Sequence, residues 1–463
     1  MLALFRRLAH LKAIAFPFAC GLILTACAGP DVRVTNAPLS LTTGSLTSDR
    51  SAGTTTADGE AAIILAFSGG GARSAAFGYG VLSELAHQTS SGGTHTLADD
   101  VAVVAGVSGG AVLAAHFALY GSDGLPAFRQ NFLGQDIEAE LHTAFTPGNL
   151  LRGYQGGVND LSGFPSWLDR HLFRGATFGK LNAPGRPNLI IHATDLYNRS
   201  PFIFDRHSFS AICSQYDDYP LAHAVAASAA VPIMFAPITL RNYNAACPVE
   251  TEVATPRHAR PSLTEKYYRE SVERYRSATD LNYLKLYDGG LVDGVGTQSL
   301  LHLMNRPTPA PLSEAKARSI RHLLFIVVDA STRIGGGISQ TEEPPDAKET
   351  VVSAIDALIN IPSLQSYDML RRRLPNWRDE IVRWRCQGNA RCQNLDTAII
   401  RVALADITEP ATARRILTLH NRLTLQAQDV DFLSDLGRRL LREQPNYQRF
   451  LKRLRSDIRR GET

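Results

Sequence analysis

A serine between small residues is the first group in the sequence that could do chemistry. Ser108 stands in AGVSGGA, where a short apolar run ends and a segment with helical spacing begins. A nucleophile elbow needs this order, because its sharp strand-to-helix turn exposes the serine hydroxyl and larger neighbours would clash. The helix N-terminus would also stabilise negative charge that develops beside Ser108. The G-x-S-x-G pattern therefore predicts a nucleophile, with a turn of no chemical role as the alternative.

An activated serine needs a base, and an aspartate is placed better for that role than any histidine. Asp288 lies in LKLYDGGLVDGVG, at the end of an apolar run and before two glycines. The carboxyl ends of parallel strands meet at one edge of a sheet, so Asp288 would reach Ser108 if the two strands are neighbours. Asp293 is a weaker acid candidate and is interpreted as a turn residue. The downstream histidines lack a glycine-rich or strand-end setting, and they are His207, His223, His258, His302, His322 and His420.

A second glycine-rich segment, IILAFSGGGARSAAF, places Gly69, Gly70 and Gly71 between an apolar run and a helical pattern. The backbone N–H groups of such a loop point at negative charge. That charge belongs either to a bound phosphate or to an oxyanion formed during a reaction. Nucleotide binding is the weaker alternative, because there is no G-x-x-x-x-G-K-S/T pattern. A dinucleotide site would also need an acid about twenty residues later, at the end of a strand.

Apolar runs alternate with helical patterns from residue 61 onward and predict an α/β fold. The predicted strands are residues 61–67, residues 99–107 and the segments RPNLIIHATDL, SPFIFD, YLKLYDGG, IRHLLFIVVDAS and TAIIRVALADI. Such alternation is typical of a mostly parallel sheet that is covered on both faces. From about residue 335 the patterns are amphipathic helices, of which the last is strongly basic. A solvated helix face is favoured there over contact with anionic lipid headgroups.

The N-terminus indicates export and lipid modification. A basic start is followed by the apolar stretch AIAFPFACGLILTA, and LTAC at residues 24–27 resembles the lipobox of bacterial lipoproteins. This pattern predicts a lipoprotein signal peptide over residues 1–26 and a lipid anchor on Cys27. An ordinary secretory signal is the alternative. Residues 27–60 are rich in serine, threonine, glycine and alanine, which predicts a flexible tether.

The remaining cysteines could form disulfides, and together with the overall charge they limit which partners are expected. An even number of cysteines in an exported protein suggests disulfides. Sequence alone allows three pairings of Cys213, Cys247, Cys386 and Cys392, of which Cys213–Cys247 and Cys386–Cys392 are the most economical. Four free buried thiols are the alternative.

No histidine or cysteine spacing is typical of zinc, so neither a metal nor a cofactor is expected. A net charge of +4 is too small to indicate nucleic-acid binding.

Five ordered blocks, from about residue 62 to about residue 305, resemble the patatin-like phospholipases. The glycine-rich, nucleophile and Asp-Gly-Gly blocks are FSGGGARSAAFGYGVLSEL, GVSGGAVLAA and YDGGLVDGVG. Between them lie two segments that also resemble the family, LFRGATFGKL…LIIHATDLYNRSPFIFD and LAHAVAASAAVPIMFAPI. The resemblance implies a three-layer α/β/α domain over residues 61–305 with a mostly parallel central sheet. Residues 306–463 are then a C-terminal α/β extension that packs on the catalytic domain.

The resemblance also implies a Ser-Asp dyad without histidine. Ser108 would attack an ester carbonyl, and Asp288 would accept its proton. The oxyanion would be held by Gly69, Gly70, Gly71, Arg73 and Gly109. Ser74 departs from the pattern, because the family usually has glycine there.

These expectations combine into a phospholipase A-like lipid acyl hydrolase anchored in the bacterial cell envelope, at the outer membrane. Its substrate would be a membrane lipid, and it would bind no nucleic acid. A Ser-His-Asp triad remains as a mechanistic alternative. A non-catalytic lipid-binding or envelope-scaffold lipoprotein on a hydrolase fold is the functional alternative.

Overall fold

The structure is a computed structural model that describes residues 31, 33–40, 60–90, 95–141, 146–154, 156–247, 261–332, 342–345, 347–386, 392, 394–419 and 422–461. The predicted signal peptide, the predicted lipid anchor Cys27 and most of the predicted tether lie outside the described residues. Within the described ranges, no helix combines the length and the apolar character needed to cross a bilayer.

One eight-stranded sheet forms the centre of the protein. Its strands are β1 (Ala61–Phe67), β2 (Val101–Gly106), β3 (Asn188–Asp195), β4 (Ser200–Ile203), β5 (Ile238–Arg241), β6 (Tyr283–Tyr287), β7 (His322–Asp329) and β8 (Asp396–Ala403). The order across the sheet is β5-β6-β3-β2-β1-β7-β8, with β4 paired to β3. Strands β3, β2, β1, β7 and β8 are parallel, whereas β4 and β6 run antiparallel to β3. The prediction of a mostly parallel sheet in an α/β fold is confirmed.

Helices flank this sheet and complete the three layers. They are α1 (Gly71–His87), α2 (Gly109–Tyr120), α3 (Leu125–Phe128), α4 (Ile137–Glu140), α5 (Pro147–Tyr154), α6 (Phe164–Leu168), α7 (Arg206–Ala211), α8 (Leu221–Ser228), α9 (Leu263–Ser277), α10 (Gly290–Asp293), α11 (Thr297–Met304), α12 (Glu314–Ser319), α13 (Ala347–Arg385), α14 (Pro410–Thr418), α15 (Ala427–Glu443) and α16 (Pro445–Gly461).

The central strands are buried on both faces, which explains their uninterrupted apolar sequences. All seven residues of β1 are buried, as are all six of β2 and all eight of β7. Burial on both faces removes the need for alternating polar residues. Strand β5, with the sequence ITLR, is not among the predicted strands.

Strands from both sides of the predicted boundary at residue 305 belong to the same sheet. Strand β7 pairs with β1 along its whole length, and β8 pairs with β7. Parallel strands need a long crossover, and α13 lies in the one between β7 and β8. Residues 306–463 contribute β7 and β8, which extend the central sheet itself.

Residues 33–40 correct the prediction of a flexible tether over residues 27–60. The N–H of Thr35 donates to the carbonyl of Thr239 on β5, at 3.1 Å. The side chain of Asn36 bonds both the N–H and the carbonyl of Arg241, at 2.8 and 2.9 Å. Strand β5 is an edge strand, and these bonds satisfy backbone groups that its open side would leave unpaired. Composition cannot reveal such docking, because most of the bonds involve the backbone of β5.

Both economical cysteine pairings are present as disulfides. Cys213 is bonded to Cys247, and Cys386 is bonded to Cys392. The first bridge lies beside the docked residues 33–40, because the N–H of Leu39 donates to the carbonyl of Cys213 at 2.9 Å.

Two glycines allow α1 and α15 to pack with their backbones almost in contact. A Cβ on Gly80 would lie 1.9 Å from the carbonyl oxygen of Ser434, and a Cβ on Gly437 would lie 2.2 Å from that of Phe77. Backbone atoms cannot move aside as a side chain can. The C-terminal helix α15 is therefore held against the helix that follows the glycine-rich loop.

We expect Gly80→Ala to destabilise the fold by roughly 1–3 kcal/mol, because overpacking costs that much in a close-packed interior. In an unobstructed helix the same change stabilises by about 1 kcal/mol. Gly153→Ala in α5 is the matched control, since its Cβ would meet its nearest neighbours at an ordinary 3.6 Å. Urea-induced unfolding checks the difference. Equal stabilities for the two variants would contradict the close contact.

Candidate active site

Ser108 occupies the sharp turn between β2 and α2, as the sequence predicts. Its φ is 52° and its ψ is −124°, a conformation that residues other than glycine rarely adopt. The turn requires small neighbours, because a Cβ on Gly106 would lie 2.5 Å from the carbonyl oxygen of Gly110. The N–H of Ser108 donates to Oγ of Ser228 at 3.1 Å, which holds the strained turn in place. The geometry is that of a nucleophile elbow.

Asp288 lies at the end of β6, and its side chain lies close enough to that of Ser108 for the hydroxyl to lower its pKa. Its backbone is held on both sides. The N–H donates to the carbonyl of Ala230 at 2.9 Å, and the carbonyl accepts from Oγ1 of Thr194 at 2.7 Å. The N–H of Gly290 donates to Oδ1 at 2.8 Å. The structure thus brings together the two residues that the sequence predicts as a dyad.

Burial sets the basicity of the Asp288 carboxylate. Removal from water raises its pKa to about 6, although the N–H of Gly290 and the nearby hydroxyl of Ser108 favour the charged form and lower it. A carboxylate with this pKa is ionised at neutral pH and is a stronger base than an exposed one. General bases are most effective when their pKa lies near the working pH. Asp288 therefore has the properties of a base without a histidine partner.

The glycine-rich loop presents backbone donors beside the dyad. Gly70 and Gly71 have φ values of 129° and 58°, which favour glycine. A Cβ on Gly109 would lie 2.0 Å from the carbonyl oxygen of Gly71, so the loop and the elbow are in direct backbone contact. The N–H groups of Gly70, Gly71 and Gly109 donate to no acceptor within the described part of the chain. These groups lie at the N-termini of α1 and α2, where negative charge is stabilised.

Two predicted members of the oxyanion site have other partners. The N–H of Gly69 donates to the carbonyl of Gly294 at 2.9 Å, which corrects its prediction as an oxyanion donor. The Arg73 guanidinium donates to the carbonyls of Ala330 and Leu419, at 3.1 and 2.7 Å. Arg73 thus connects the glycine-rich loop to the end of β7 and to the C-terminal region. These acceptors are 257 and 346 residues away in sequence, so the sequence offers no sign of them.

Ser74 has a structural role in place of the family's usual glycine. Its hydroxyl donates to the carbonyl of Ser68 at 2.5 Å. Oγ of Ser68 in turn accepts from the N–H of Ala330 at 2.8 Å. The first turn of α1 is thereby tied to the strand end that precedes the glycines, and the departure from the pattern adds a restraint to the loop.

Ser228 is a residue of the site that sequence reasoning missed. Its Oγ accepts from the N–H of Ser108, and its carbonyl accepts from the N–H of Gly289 at 3.0 Å. Ser228 therefore bonds the nucleophile turn and the Asp288 loop at the same time. It lies in the Ala-Ser-x-Ala-x-Pro segment that resembles the family. That resemblance is the sequence signal that could have identified Ser228 as a site residue.

The other candidate acids and bases have structural partners. Nδ1 of His302 lies 2.7 Å from Oε2 of Glu265, and its ring stacks on Tyr268. Oδ2 of Asp293 accepts from the N–H of Ser299 at 2.9 Å, at the start of α11. Of the remaining candidates, His207 lies in α7, His223 in α8 and His322 at the start of β7, whereas His258 and His420 lie outside the described residues. The described residues contain no group of three side chains suited to a metal.

Comparison with known proteins places this site in a family. The family model described as patatin-like phospholipase matches residues 65–301, just over half of the chain. A search of curated proteins found no match. The structure is similar to human GIVD cytosolic phospholipase A2, with a TM-score of 0.37 and 11% identity over 86% of this chain. The complex of that enzyme with methyl gamma-linolenyl fluorophosphonate gives a TM-score of 0.36 and 12% identity, also over 86% of this chain.

The chain spans about 60% of the length of these human structures, at 60% and 59% of the two chains. The match to the family model is independent of that likeness, and it includes both the elbow and the Asp288 loop. The protein belongs to the patatin-like phospholipase family.

Proposed function

We propose that the protein is a phospholipase A-like lipid acyl hydrolase with Ser108 as nucleophile and Asp288 as general base. The observation that carries this proposal is that Ser228 bonds both the turn of Ser108 and the loop of Asp288, inside the region that matches the family model. Asp288 is ionised at neutral pH, and the Ser108 hydroxyl, whose proton it must accept, lies close enough to lower its pKa. A nucleophile and a base within hydrogen-bond distance are the minimum that acyl transfer requires.

In the first half of the reaction, Oγ of Ser108 attacks the ester carbonyl carbon while its proton passes to Asp288. The carbonyl oxygen becomes an oxyanion, which the N–H groups of Gly70, Gly71 and Gly109 stabilise. In sites of this kind, one such donor contributes about 3–4 kcal/mol to transition-state stabilisation. The C–O bond to the leaving alcohol then breaks, and the alcohol takes the proton from Asp288. The product is an acyl-Ser108 ester.

In the second half, water replaces the alcohol. Asp288 accepts a proton from water as its oxygen attacks the acyl carbon, and the oxyanion forms again at the same donors. Collapse of this intermediate releases the fatty acid, and the proton returns from Asp288 to Oγ of Ser108. The Cys27 lipid anchor and the envelope location remain predictions, and they would keep the enzyme beside its substrate.

Ser108→Ala is expected to abolish ester hydrolysis and covalent labelling by a fluorophosphonate probe, because no nucleophile remains. Asp288→Asn should lower kcat by at least about a thousandfold, since the amide cannot accept the proton. Asp293→Asn is the matched control, because that aspartate lies five positions later and caps α11 instead. Release of free fatty acid from defined phospholipids is the measurement.

Substantial labelling of the Ser108→Ala protein would contradict the assignment of the nucleophile. Equal losses in the Asp288 and Asp293 variants would contradict the assignment of the base. A wild-type protein that binds lipid but neither releases fatty acid nor reacts with the probe would support a non-catalytic lipid-binding function.

The pH dependence of kcat/KM should show the pKa of Asp288. The base must be ionised, and burial raises its pKa from the ordinary 3.8 to about 6. We therefore expect kcat/KM for a water-soluble ester to fall about tenfold per pH unit below pH 6 and to level off above it. A profile that stays flat down to pH 4.5 would contradict a buried carboxylate base.

A further inference from the structure

An exposed apolar surface borders the active site. Residues 231–235 read Val-Pro-Ile-Met-Phe, and each of them is at least partly exposed, with Ile233 at 56%. Tyr154, at the end of α5, is 90% exposed. The two are neighbours, because Cγ2 of Ile233 lies 3.6 Å from where a Cβ on Gly153 would be. We call Tyr154 and residues 231–235 the apolar rim. Clustered apolar exposure of this kind marks contact with a membrane or another protein.

The apolar rim is connected directly to the catalytic base. The carbonyl of Ala230 accepts the N–H of Asp288 at 2.9 Å, and the rim begins at the next residue. Any membrane or protein surface that contacts the apolar rim would therefore lie next to the loop that carries Asp288.

The backbone holds Ile233 in an unfavourable, outward-facing conformation. Its φ is 75°, which is rare for a residue branched at Cβ. The conformation persists because the neighbouring chain bonds the carbonyls of Ile233 and of the residue after it. The N–H of Val158 donates to the carbonyl of Ile233 at 3.2 Å, and that of Asn159 donates to the carbonyl of Met234 at 3.1 Å. Strained residues of this kind concentrate at functional sites.

The docked N-terminal segment begins on the same stretch of chain. The N–H of Asp31 donates to Oδ2 of Asp160 at 2.8 Å, and the carbonyl of Asp31 accepts from Leu161 at 3.3 Å. Leu161 is only two residues after Asn159, which bonds the rim. Asp31 is therefore held beside the base of the apolar rim.

The direction of the docked segment places its anchor-proximal end near the active site. Val34 pairs in parallel with Thr239, so the segment runs in the same direction as β5. Strand β5 begins at Ile238, which lies opposite Leu286, two residues before Asp288. Cys27 precedes Asp31 by four residues, which span at most about 14 Å when fully extended. A lipid on Cys27 would therefore hold this end of the protein close to the bilayer.

We propose that the apolar rim is a bilayer-contact surface, and that the docked residues 33–40 hold it toward the membrane that carries the Cys27 anchor. This inference rests on the proposed function, because a bilayer is the source of substrate for a lipid acyl hydrolase. A membrane fits better than a partner protein, because the predicted anchor is tied to the base of the rim itself. Lipid drawn from the bilayer would then enter beside Asp288.

Rim variants separate membrane contact from chemistry. We expect Tyr154→Gln and Ile233→Asn, singly and combined, to lower fatty-acid release from phosphatidylethanolamine–phosphatidylglycerol vesicles. The loss should exceed the loss on p-nitrophenyl butyrate in solution at least tenfold. Tyr283→Gln is the matched control, since Tyr283 is 49% exposed and lies at the opposite end of β6 from Asp288. It should change neither rate.

A binding measurement tests the surface independently of activity. The test uses a full chain with two substitutions: Cys27→Ser removes the anchor site, and Ser108→Ala removes the nucleophile. Flotation of this protein with the same vesicles should then depend on the apolar rim. The two rim substitutions should reduce the floated fraction at least fivefold, and Tyr283→Gln should leave it unchanged. If the wild-type protein proves inactive, the proposed function fails, but flotation still decides the surface.

Three outcomes would overturn the bilayer-contact surface. One is an equal loss on vesicles and on the soluble ester, which would place the rim in the substrate pocket or the fold. Another is unchanged flotation of the rim variants. The third is a wild-type dimer that the rim substitutions dissociate in size-exclusion chromatography, which would make the rim an interface between two copies of the chain.

The docked segment is tested in the anchored full chain. Asn36→Ala removes its bonds to Arg241 and should lower vesicle hydrolysis at least fivefold more than hydrolysis of the soluble ester. Arg33→Ala is the matched control, because Arg33 is exposed and bonds only Asp31 among the described residues. Equal behaviour of the two variants on vesicles, with unchanged melting temperatures, would overturn the orienting role.

Discussion

The backbone contact between Gly71 and Gly109 is the constraint on which the rest of the site depends. A Cβ on Gly109 would lie 2.0 Å from the carbonyl oxygen of Gly71, so any other residue would force the glycine-rich loop away from the elbow. The contact brings the N-termini of α1 and α2 together at the carboxyl edge of the sheet. Two helix dipoles and three backbone N–H groups then act on the same small volume. An oxyanion formed at Ser108 would be stabilised there without any movement of the protein.

The proposed base, Asp288, is positioned by a different route, through an antiparallel strand and the segment after α8. Strand β6 delivers Asp288 beside β3, and Ala230 and Thr194 bond its backbone. Ser228 bonds both the nucleophile turn and the Asp288 loop, so the two halves of the dyad share one support. The chain that leaves this support becomes the apolar rim. Membrane contact and proton transfer would thus depend on adjacent residues of one segment.

The C-terminal third of the chain supports the candidate active site. Strand β7 lies next to β1, whose end carries the glycine-rich loop, and Arg73 bonds the carbonyls of Ala330 and Leu419. The N–H of Ala72 also donates to the carbonyl of Arg422, at 2.7 Å. The match to the family model ends at residue 301, but the loop beside the nucleophile is held by residues well beyond it. A substitution in this region that moved the glycine-rich loop would therefore change the geometry of the candidate active site.

The sequence by itself determined every strand except β5, the elbow serine, the aspartate and the α/β class. These depend on local properties, namely apolar runs buried on both faces, small residues where backbones meet, and polar residues at strand ends. Tertiary structure alone decided that β7 lies beside β1, that Gly69 donates to Gly294 and that Arg73 bonds Leu419. It also decided that residues 33–40 dock along β5, where a flexible tether is predicted. In each case the partner is distant in the chain and most of the bonds involve the backbone. Composition and spacing describe the order of side chains along the chain. They do not predict which distant backbone groups will form hydrogen bonds with each other.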